Sequence, residues 1–516
     1  NSEEPRFYSE IVVRAGSKHD PPDATGIAHY LEHMLFKGTE QLGTLNFERE
    51  KTHLDRIEAL YEEHFYATNE EQRIEIYKLI NLENQSAAKY AVPNELDRIY
   101  NSIGARSLNA HTSVEETVYK VDLPIDRLEQ WAHIETERFR EPIFRLFQTE
   151  IETVYEEKNR SMDNKARVIR QLVNENLYLQ HPYRNSVLGS IDHLKNPSLS
   201  HMHAYLDTYY VPNNMAIIIS GDIDVDKTID LIDRQFSVWK KRDLPKAPIW
   251  KEPKIDTVRR LEVDYPGEDY VLIAFRTVSN KHRDAEALQM LDMILDNATA
   301  GLINLNLNQR QLVREAGSYP YQNNDYGTQY LWAIPKDGQT LEDLEQLLID
   351  QVRQIQEGNF DEWILPAITT DFTLNYKQGL ENNATRVAMM RKAFVAHKEW
   401  ENQVGHLSRL EMVSKEDVIR VAKKYFTNAY VAGYRRDGKA NHASIQKPPI
   451  DDIEIDPSRE SEFAQQILKM PFEQPEPHYI SSGNDFSQTL LRDGLTLYHT
   501  KNPLNDLFAF EINIKT

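Results

Sequence analysis

Cysteine is absent from the 516 residues of the chain. Its absence excludes disulfides, a cysteine nucleophile, iron–sulfur clusters and zinc sites built on thiolates. Long apolar runs are also missing. The clean apolar stretch near the middle of the chain, residues 215–219, is far shorter than the roughly 20 residues that a transmembrane helix needs. We therefore expect no membrane insertion.

Positive charge is scarce relative to negative charge. The chain has 60 Lys and Arg residues against 81 Asp and Glu residues, which gives a formal net charge of −21. A nucleic-acid-binding protein carries a basic surface, and an anionic membrane repels an acidic protein. We therefore expect no nucleic-acid partner. The charge does not assign a compartment, which stays open: we expect a soluble bacterial protein, with the periplasm favoured and the cytoplasm as the alternative.

Proline-rich segments divide the chain. Residues 240–253 contain three prolines among several lysines, and residues 447–487 contain six prolines, a composition typical of linkers. The division predicts a catalytic domain, a second and catalytically silent domain, a linker and the start of a truncated third domain, in the order 1–240, 254–440, 441–487 and 488–516.

Two internal repeats support this division. Residues 209–214 and the apolar strand after them are repeated in pattern by residues 425–434, and each copy follows an amphipathic helix. We therefore expect an α+β fold of two similar domains related by pseudo-symmetry, each a mostly antiparallel sheet with helices packed on one face. Residues 502–516 also repeat residues 1–15. This repeat predicts that a second half, supplied in cis or by another chain, completes the protein. A dimer of this chain is a further possible partner arrangement.

Several segments have a clear local pattern. Residues 46–92 are densely charged and contain neither proline nor glycine, which predicts an insertion of two amphipathic helices divided near residues 67–69. Residues 105–123 alternate and are rich in Thr and Val, as expected of one or two strands. Helical patterns run over 126–141 and from 147 to about 180.

The strongest chemical signal is the sequence HYLEH at residues 29–33. His29 and His33 are one turn apart on the same face of a helix, so their imidazoles can share one tetrahedral Zn²⁺. Glu32 lies on nearly the same side, where a carboxylate can act as general base on a water that the metal activates. The alternative is a helix that carries two core or surface histidines by chance.

A catalytic zinc usually takes a third protein ligand. The apolar residues of segment 147–159 mark the buried face of a helix. Glu150 and Glu157 lie at the edge of that face, whereas Glu152 and Glu156 point toward solvent. Either Glu150 or Glu157 can therefore meet a buried metal. The alternative is a charged helix with glutamates at its boundary.

At this point the chain resembles the insulinase/pitrilysin family of zinc peptidases, the inverzincins with an HxxEH motif. The motif is followed by ordered matches at 34–39, 104–105, 108–113, 116–119, 154–157, 181–183, 189, 210–215 and 221–222. Residues 257–439 resemble the second, catalytically silent domain of that family. The spacing from His33 to Glu157 is longer than the family usually shows, and the insertion at 46–92 accounts for the excess.

The resemblance implies that His29, His33 and Glu157 bind one Zn²⁺ per chain. It assigns Glu32 as the general base and Glu150 as a second active-site glutamate that supports a ligand. It also implies that an edge strand binds the peptide substrate by strand addition, through Asn109, Ala110, His111 and Thr112.

Two functions compete on this reading. The leading hypothesis is a zinc endopeptidase that hydrolyses oligopeptides or unfolded polypeptide segments. The alternative is a non-catalytic assembly or scaffold subunit, because the family also contains inactive members. Such members usually lose the motif, whereas this chain keeps all of its positions.

Overall fold

The computed structural model describes residues 5–440, 453, 456, 458–473, 476 and 479–514. Two large sheets organise the described residues, a four-stranded sheet in the first part of the chain and a five-stranded sheet in the second part. Within these ranges, no helix combines the length and the apolar character that crossing a membrane requires.

The first part of the chain begins with a strand and is mostly helical. Its elements are β1 (Arg6–Val13), α1 (Ile27–Met34), α2 (Phe47–Tyr66), α3 (Glu70–Ala87), α4 (Glu95–Ser102), β2 (Arg106–Thr112), β3 (Thr117–Pro124), α5 (Leu128–Arg140), α6 (Phe147–Met162), α7 (Lys165–Leu177), α8 (Ile191–Lys195), α9 (Leu199–Tyr209), β4 (Met215–Gly221) and α10 (Val225–Phe236).

The second part begins after a segment without regular structure. Its elements are β5 (Arg259–Tyr265), β6 (Tyr270–Val278), α11 (Ala285–Leu295), β7 (Glu315–Gln322), β8 (Tyr326–Ile334), α12 (Leu341–Glu357), α13 (Ile364–Gly379), α14 (Asn383–Val395), α15 (Trp400–Val404), α16 (His406–Glu411), α17 (Lys415–Tyr425) and β9 (Val431–Asp437). The C-terminal part adds α18 (Glu462–Lys469), β10 (Ser487–Arg492) and β11 (Leu495–His499).

The two sheets share one strand order. The first sheet runs β2-β3-β1-β4 and is antiparallel throughout. The second runs β7-β8-β6-β9 in antiparallel pairs, with β5 added in parallel at its edge. The predicted α+β fold of two similar, mostly antiparallel domains is therefore confirmed, including its pseudo-symmetry.

The repeated segments occupy equivalent places in the two domains. Residues 209–214 lead from α9 into β4, which pairs with β1. Residues 425–428 lead from α17 toward β9, which pairs with β6. Because β1 and β6 are the equivalent strands of the two sheets, the repeat marks the same position in each domain.

Each domain also covers the outer face of the other domain's sheet. Helix α7 of the first domain packs its Ile169 and Val173 against the second sheet. Helix α14 of the second domain packs its Val387 and Val395 against the first sheet. The approach of α7 is close enough that a Cβ at Gly433 of β9 would lie 2.6 Å from Val173 Cγ2. The interface is thus built from exchanged helices.

The charged insertion is a helical hairpin, as predicted. Helices α2 and α3 pack against each other and are separated at residues 67–69. Each helix begins at an asparagine whose side chain accepts a backbone N–H three residues later, Asn46 from Arg49 and Asn69 from Gln72. These N-caps satisfy amide groups that a helix terminus leaves unpaired.

The helical pattern predicted over 147–180 is not one helix. Helix α6 ends at Met162 and α7 begins at Lys165. The Asn164 side chain accepts hydrogen bonds from the backbone N–H groups of Ala166 and Arg167, and so starts a new helix. The prediction of one continuous helical pattern was wrong here. Apolar periodicity is present on both sides of the short break, so periodicity alone did not reveal it.

The predicted linker over 441–487 lies partly outside the described residues. In its described part, α18 is a helix whose Ala464 and Ile467 are buried in the core of the first domain. The Arg459 guanidinium also donates to the carbonyl oxygens of Ala88 and Lys89. This part of the segment is therefore docked structure, which proline content alone did not indicate.

The segment predicted to start a third domain contains a short hairpin, β10–β11. The described residues after it form no strand and contact α13, where Asn505 and Asp506 bond to Glu381 and Lys377 at 2.8 and 2.6 Å. The repeat of residues 1–15 at 502–516 includes positions outside the described residues. The existence of a third domain stays a prediction.

Candidate metal centre and cleft

Helix α1 carries the HYLEH sequence and is fixed at its N-terminus. The Asp20 carboxylate accepts hydrogen bonds from Gly26 N at 2.7 Å and Ala28 N at 2.9 Å. Gly26 has a φ of +95°, and a Cβ there would lie 2.9 Å from the Leu188 carbonyl oxygen. Glycine is therefore required where the chain turns into the helix.

Three side chains converge at α1 and α6. The Nε2 atoms of His29 and His33 lie 3.2 and 3.6 Å from Glu157 Oε2. In the part of the chain that the structure describes, this is the group whose potential ligand atoms all lie within 4.8 Å of one another. The helical spacing brings the two imidazoles together, and the packing of α6 on α1 brings the carboxylate to them.

Glu150 lies on the other side of His33. Its Oε1 is 2.7 Å from His33 Nδ1, and its other oxygen contacts the Lys37 ammonium. Glu150 and Glu157 are seven residues apart on α6, about two turns, and contact different atoms of the histidines. Glu157 faces the Nε2 atoms of both histidines, whereas Glu150 holds the His33 ring through its Nδ1 atom.

Hydrogen bonds within the cluster shift the pKa values of its members. Burial alone would lower the pKa of His33, but hydrogen bonds to Glu150 and Glu157 outweigh it and raise the pKa to about 9. Hydrogen bonds from His29 and His33 hold the pKa of Glu157 well below its ordinary value. Burial opposes ionisation of Glu150, yet His33 and Lys37 lower its pKa as well. The carboxylates therefore stay ionised and attract positive charge.

Glu32 points to a neighbouring strand. Its Oε2 accepts a hydrogen bond from the Thr112 hydroxyl at 2.5 Å. Thr112 is the last residue of β2, and β2 lies at the edge of the first sheet. The carboxylate is therefore held beside the end of an edge strand, within the same cleft as the histidines.

The edge strand presents the residues predicted to bind substrate. Asn109 is exposed, and Ala110, His111 and Thr112 are partly exposed and line the cleft. The Asn109 side chain accepts from Ala110 N at 2.9 Å, and His111 Nε2 lies 3.5 Å from Glu116 Oε1. Residues 109–112 of β2 and the group of His29, His33 and Glu157 line the same cleft.

The cleft has a volume of about 1240 Å³ and lies between the two domains. The first domain contributes the cluster, β2 and one side of α7. The second domain contributes uncharged side chains of β7, β8 and the turn between them, namely Tyr321, Asn323, Thr328 and Tyr330. Both domains therefore build the space in which a ligand of the cluster would lie.

The structure brings His29, His33 and Glu157 together and places Glu32 and Glu150 beside them. Of the glutamates considered on α6, Glu152 and Glu156 do not line the cleft. The sequence reasoning missed the contacts of Lys37 and Asp20. Neither contact had a local sequence signal, because Asp20 lies six residues ahead of Gly26, the N-cap of α1, and outside the position where Asp is preferred.

Asp20 gives the stability of the protein a pH dependence. Burial raises the pKa of Asp20 to about 7, despite its two backbone hydrogen bonds. The folded state then binds more protons than the unfolded state between about pH 4 and 7, so the free energy of unfolding falls as pH rises through that range. Chemical denaturation should show this fall in the difference between the wild type and Asp20→Asn.

The exposed Asp23 provides the matched control for this measurement, since Asp23→Asn removes the same charge from a nearby side chain. Differences taken at each pH cancel the titration of all other groups. A difference between the wild type and Asp20→Asn that stays constant from pH 4 to 8 contradicts the assignment.

The HxxEH sequence, carried here by helix α1, is the signature of the inverzincin class of zinc peptidases. The chain belongs to the peptidase M16 (insulinase) family. The insulinase model of that family matches residues 1–54 and 80–190, and the model of its inactive domain matches residues 198–370. The unmatched residues between 54 and 80 fall within α2 and α3, as expected of an insertion.

Curated relatives of the chain include bacterial zinc proteases. It is 22% identical to the zinc protease PqqE of Helicobacter pylori over 431 residues, which cover 81% of this chain and 84% of that protein. It is 24% identical to the probable zinc protease PqqL of Haemophilus influenzae over 332 residues, 60% of this chain and 30% of that protein. The chain thus spans most of one relative and less than a third of the other.

Solved structures share the fold. A protease from Helicobacter pylori superposes with a TM-score of 0.70 at 20% identity, over 84% of this chain and 95% of that one. The first half of the periplasmic protease PqqL from Escherichia coli gives 0.60 at 16% identity, over 84% and 88%. These similarities establish the two-domain architecture.

Proposed function

We propose that the chain is a zinc-dependent endopeptidase. The observation that carries the proposal is the convergence of two imidazole Nε2 atoms and one carboxylate oxygen within 4.8 Å of one another. This donor set suits a catalytic Zn²⁺, which takes three protein ligands and keeps one position open. His29, His33 and Glu157 would hold the ion, which supplies Lewis-acid activation of water when bound.

The surrounding residues suit peptide hydrolysis. Glu32 would take a proton from the attacking water and pass it to the leaving amine. The Thr112 hydroxyl orients the Glu32 carboxylate. Glu150 holds the ring of His33 through Nδ1, and Lys37 balances the charge of Glu150. These contacts leave the Nε2 atom of His33 free to face Glu157.

The edge of β2 is where we propose that the peptide binds. An extended peptide that adds to an edge strand is recognised through its backbone, so sequence demands are low. Residues 109–112 lead directly to the Glu32 contact at Thr112. A peptide on this edge would therefore present its backbone to the general base. Oligopeptides and unfolded segments fit such a site, because folded proteins rarely offer a free extended strand.

The proposal is tested by zinc content. The purified chain should bind one equivalent of Zn²⁺, measured by atomic absorption after dialysis, and cleave an internally quenched peptide. His33→Ala should lose the zinc and the cleavage. His53→Ala is the matched control, because His53 lies on the helical hairpin and pairs with Glu83.

The alternative of a non-catalytic scaffold subunit makes the opposite prediction. A chain that holds no zinc as purified and takes up none on soaking would overturn the peptidase. Equal zinc loss in His33→Ala and His53→Ala would place the metal elsewhere and would also contradict the proposal.

A further inference from the structure

The charged side chains that line the cleft fall into two groups. Away from the HYLEH helix, Lys37 and the two glutamates of α6, the lining has a single carboxylate, Asp97. The same part of the lining has four basic side chains, all on α6 and α7 of the first domain: Lys158, Arg160, Arg167 and Arg170. We call these four residues the basic wall. Such a concentration is notable in a chain with a net charge of −21.

Helix α7 shows how two residues of the wall come to face the cleft. Its apolar stripe, Ile169 and Val173, is buried against the second sheet. Arg167 and Arg170 lie on another side of the helix and line the cleft. This orientation distinguishes the wall from an ordinary solvated helix face, because the second domain encloses the space in front of it.

Two residues of the basic wall form no ion pair with the described residues. Among the described residues, neither Arg160 nor Arg167 forms an ion pair, and both side chains are exposed. The Lys158 ammonium donates to the Gly189 carbonyl oxygen at 2.7 Å. The Arg170 guanidinium lies near the phenol of Tyr319 and opposes the rise that burial causes in the pKa of that phenol. Arg160 and Arg167 therefore present guanidinium groups that no ion pair among the described residues neutralises.

We propose that the basic wall binds acidic side chains of extended peptides, so that the cleft selects acidic substrates. The cleavage preference rests on the proposed peptidase function, whereas peptide binding does not need it. Arg167 and Arg160 are the specificity-determining residues, because their guanidinium groups can pair with carboxylates without breaking an existing ion pair. At ordinary salt, repulsion by the rest of the acidic surface is screened beyond about 8–10 Å. The charge of the basic wall therefore determines which peptide side chains bind in the cleft.

Binding is measured by fluorescence anisotropy with three labelled peptides of equal length, rich in Glu, Gln or Lys. The full chain carries Glu32→Gln so that the peptides stay intact, and mass spectrometry verifies this. The acidic peptide should bind most tightly. Arg167→Gln should weaken its binding about threefold, and the double variant Arg160→Gln/Arg167→Gln about tenfold, as expected for partly solvated pairs.

Lys165→Gln is the matched control. Lys165 is an exposed residue of the same helix that does not line the cleft, so its removal changes the net charge equally. Equal affinity for the three peptides overturns the inference. Equal weakening by Lys165→Gln and Arg167→Gln also overturns it, since long-range charge would then explain the preference.

Failure of the peptidase proposal and failure of the basic-wall proposal give different results. A chain without zinc or cleavage can still show the acidic preference and its loss in Arg167→Gln, which supports the basic wall by itself. A chain that cleaves all three peptides equally well, and binds them equally, keeps the peptidase and refutes the wall.

Discussion

Replacement of Glu32 by glutamine is expected to lower peptide hydrolysis by about 10²–10⁴-fold, the usual contribution of general acid–base catalysis. The zinc content should remain that of the wild type, because His29, His33 and Glu157 are untouched. The amide keeps the size of the side chain and can still accept from the Thr112 hydroxyl. It cannot take the proton of the attacking water.

Hydrolysis is followed with an internally quenched peptide, and zinc by atomic absorption of the same samples. Glu40→Gln is the matched control, because Glu40 is exposed in the loop after α1. Near-normal turnover in Glu32→Gln would remove Glu32 from the role of base. Loss of zinc in the same variant would instead mean that Glu32 helps to bind the metal.

The second large expected effect is a loss of zinc affinity on replacement of Glu157, the proposed third ligand. Glu157→Gln should weaken zinc binding by more than about 100-fold, since even groups that only support a ligand contribute about 10–100-fold. Glu156→Gln should bind zinc as the wild type does. The two residues are adjacent on α6, but Glu157 faces the imidazoles and Glu156 does not line the cleft.

Competition with a chromogenic chelator gives both affinities. Because Glu156→Gln removes the same charge one position away, it controls for the general field of the helix. Equal weakening in the two variants, or weakening in Glu156→Gln alone, would show that another carboxylate completes the site.

Local helix geometry explains why the sequence predicted the candidate metal ligands. His29 and His33 follow the pitch of a helix, so their proximity needs no knowledge of the rest of the fold. The apolar period of α6 placed Glu150 and Glu157 on the inner side of that helix. Periodicity alone could not choose between them, because both lie at the same edge, and the resemblance to the family made that choice.

Contacts between distant segments were not predictable in the same way. The hydrogen bond from Thr112 to Glu32 and the contact of Lys37 with Glu150 depend on how strands and helices pack. The uncharged wall of the cleft comes from β7 and β8, more than 160 residues beyond Glu157. Helix α18 was not predicted, because the proline-rich segments on both sides of it have the composition of a linker.

The exchange of α7 and α14 has a consequence for how the protein gains and loses its structure. Neither sheet can bury both faces with helices of its own domain, since Ile169 and Val173 belong to one half and Val387 and Val395 to the other. A separated domain would expose an apolar sheet face to water and lose part of its stability. We therefore expect the two domains to fold as one cooperative unit, in which loosening either domain would also disturb the cleft between them.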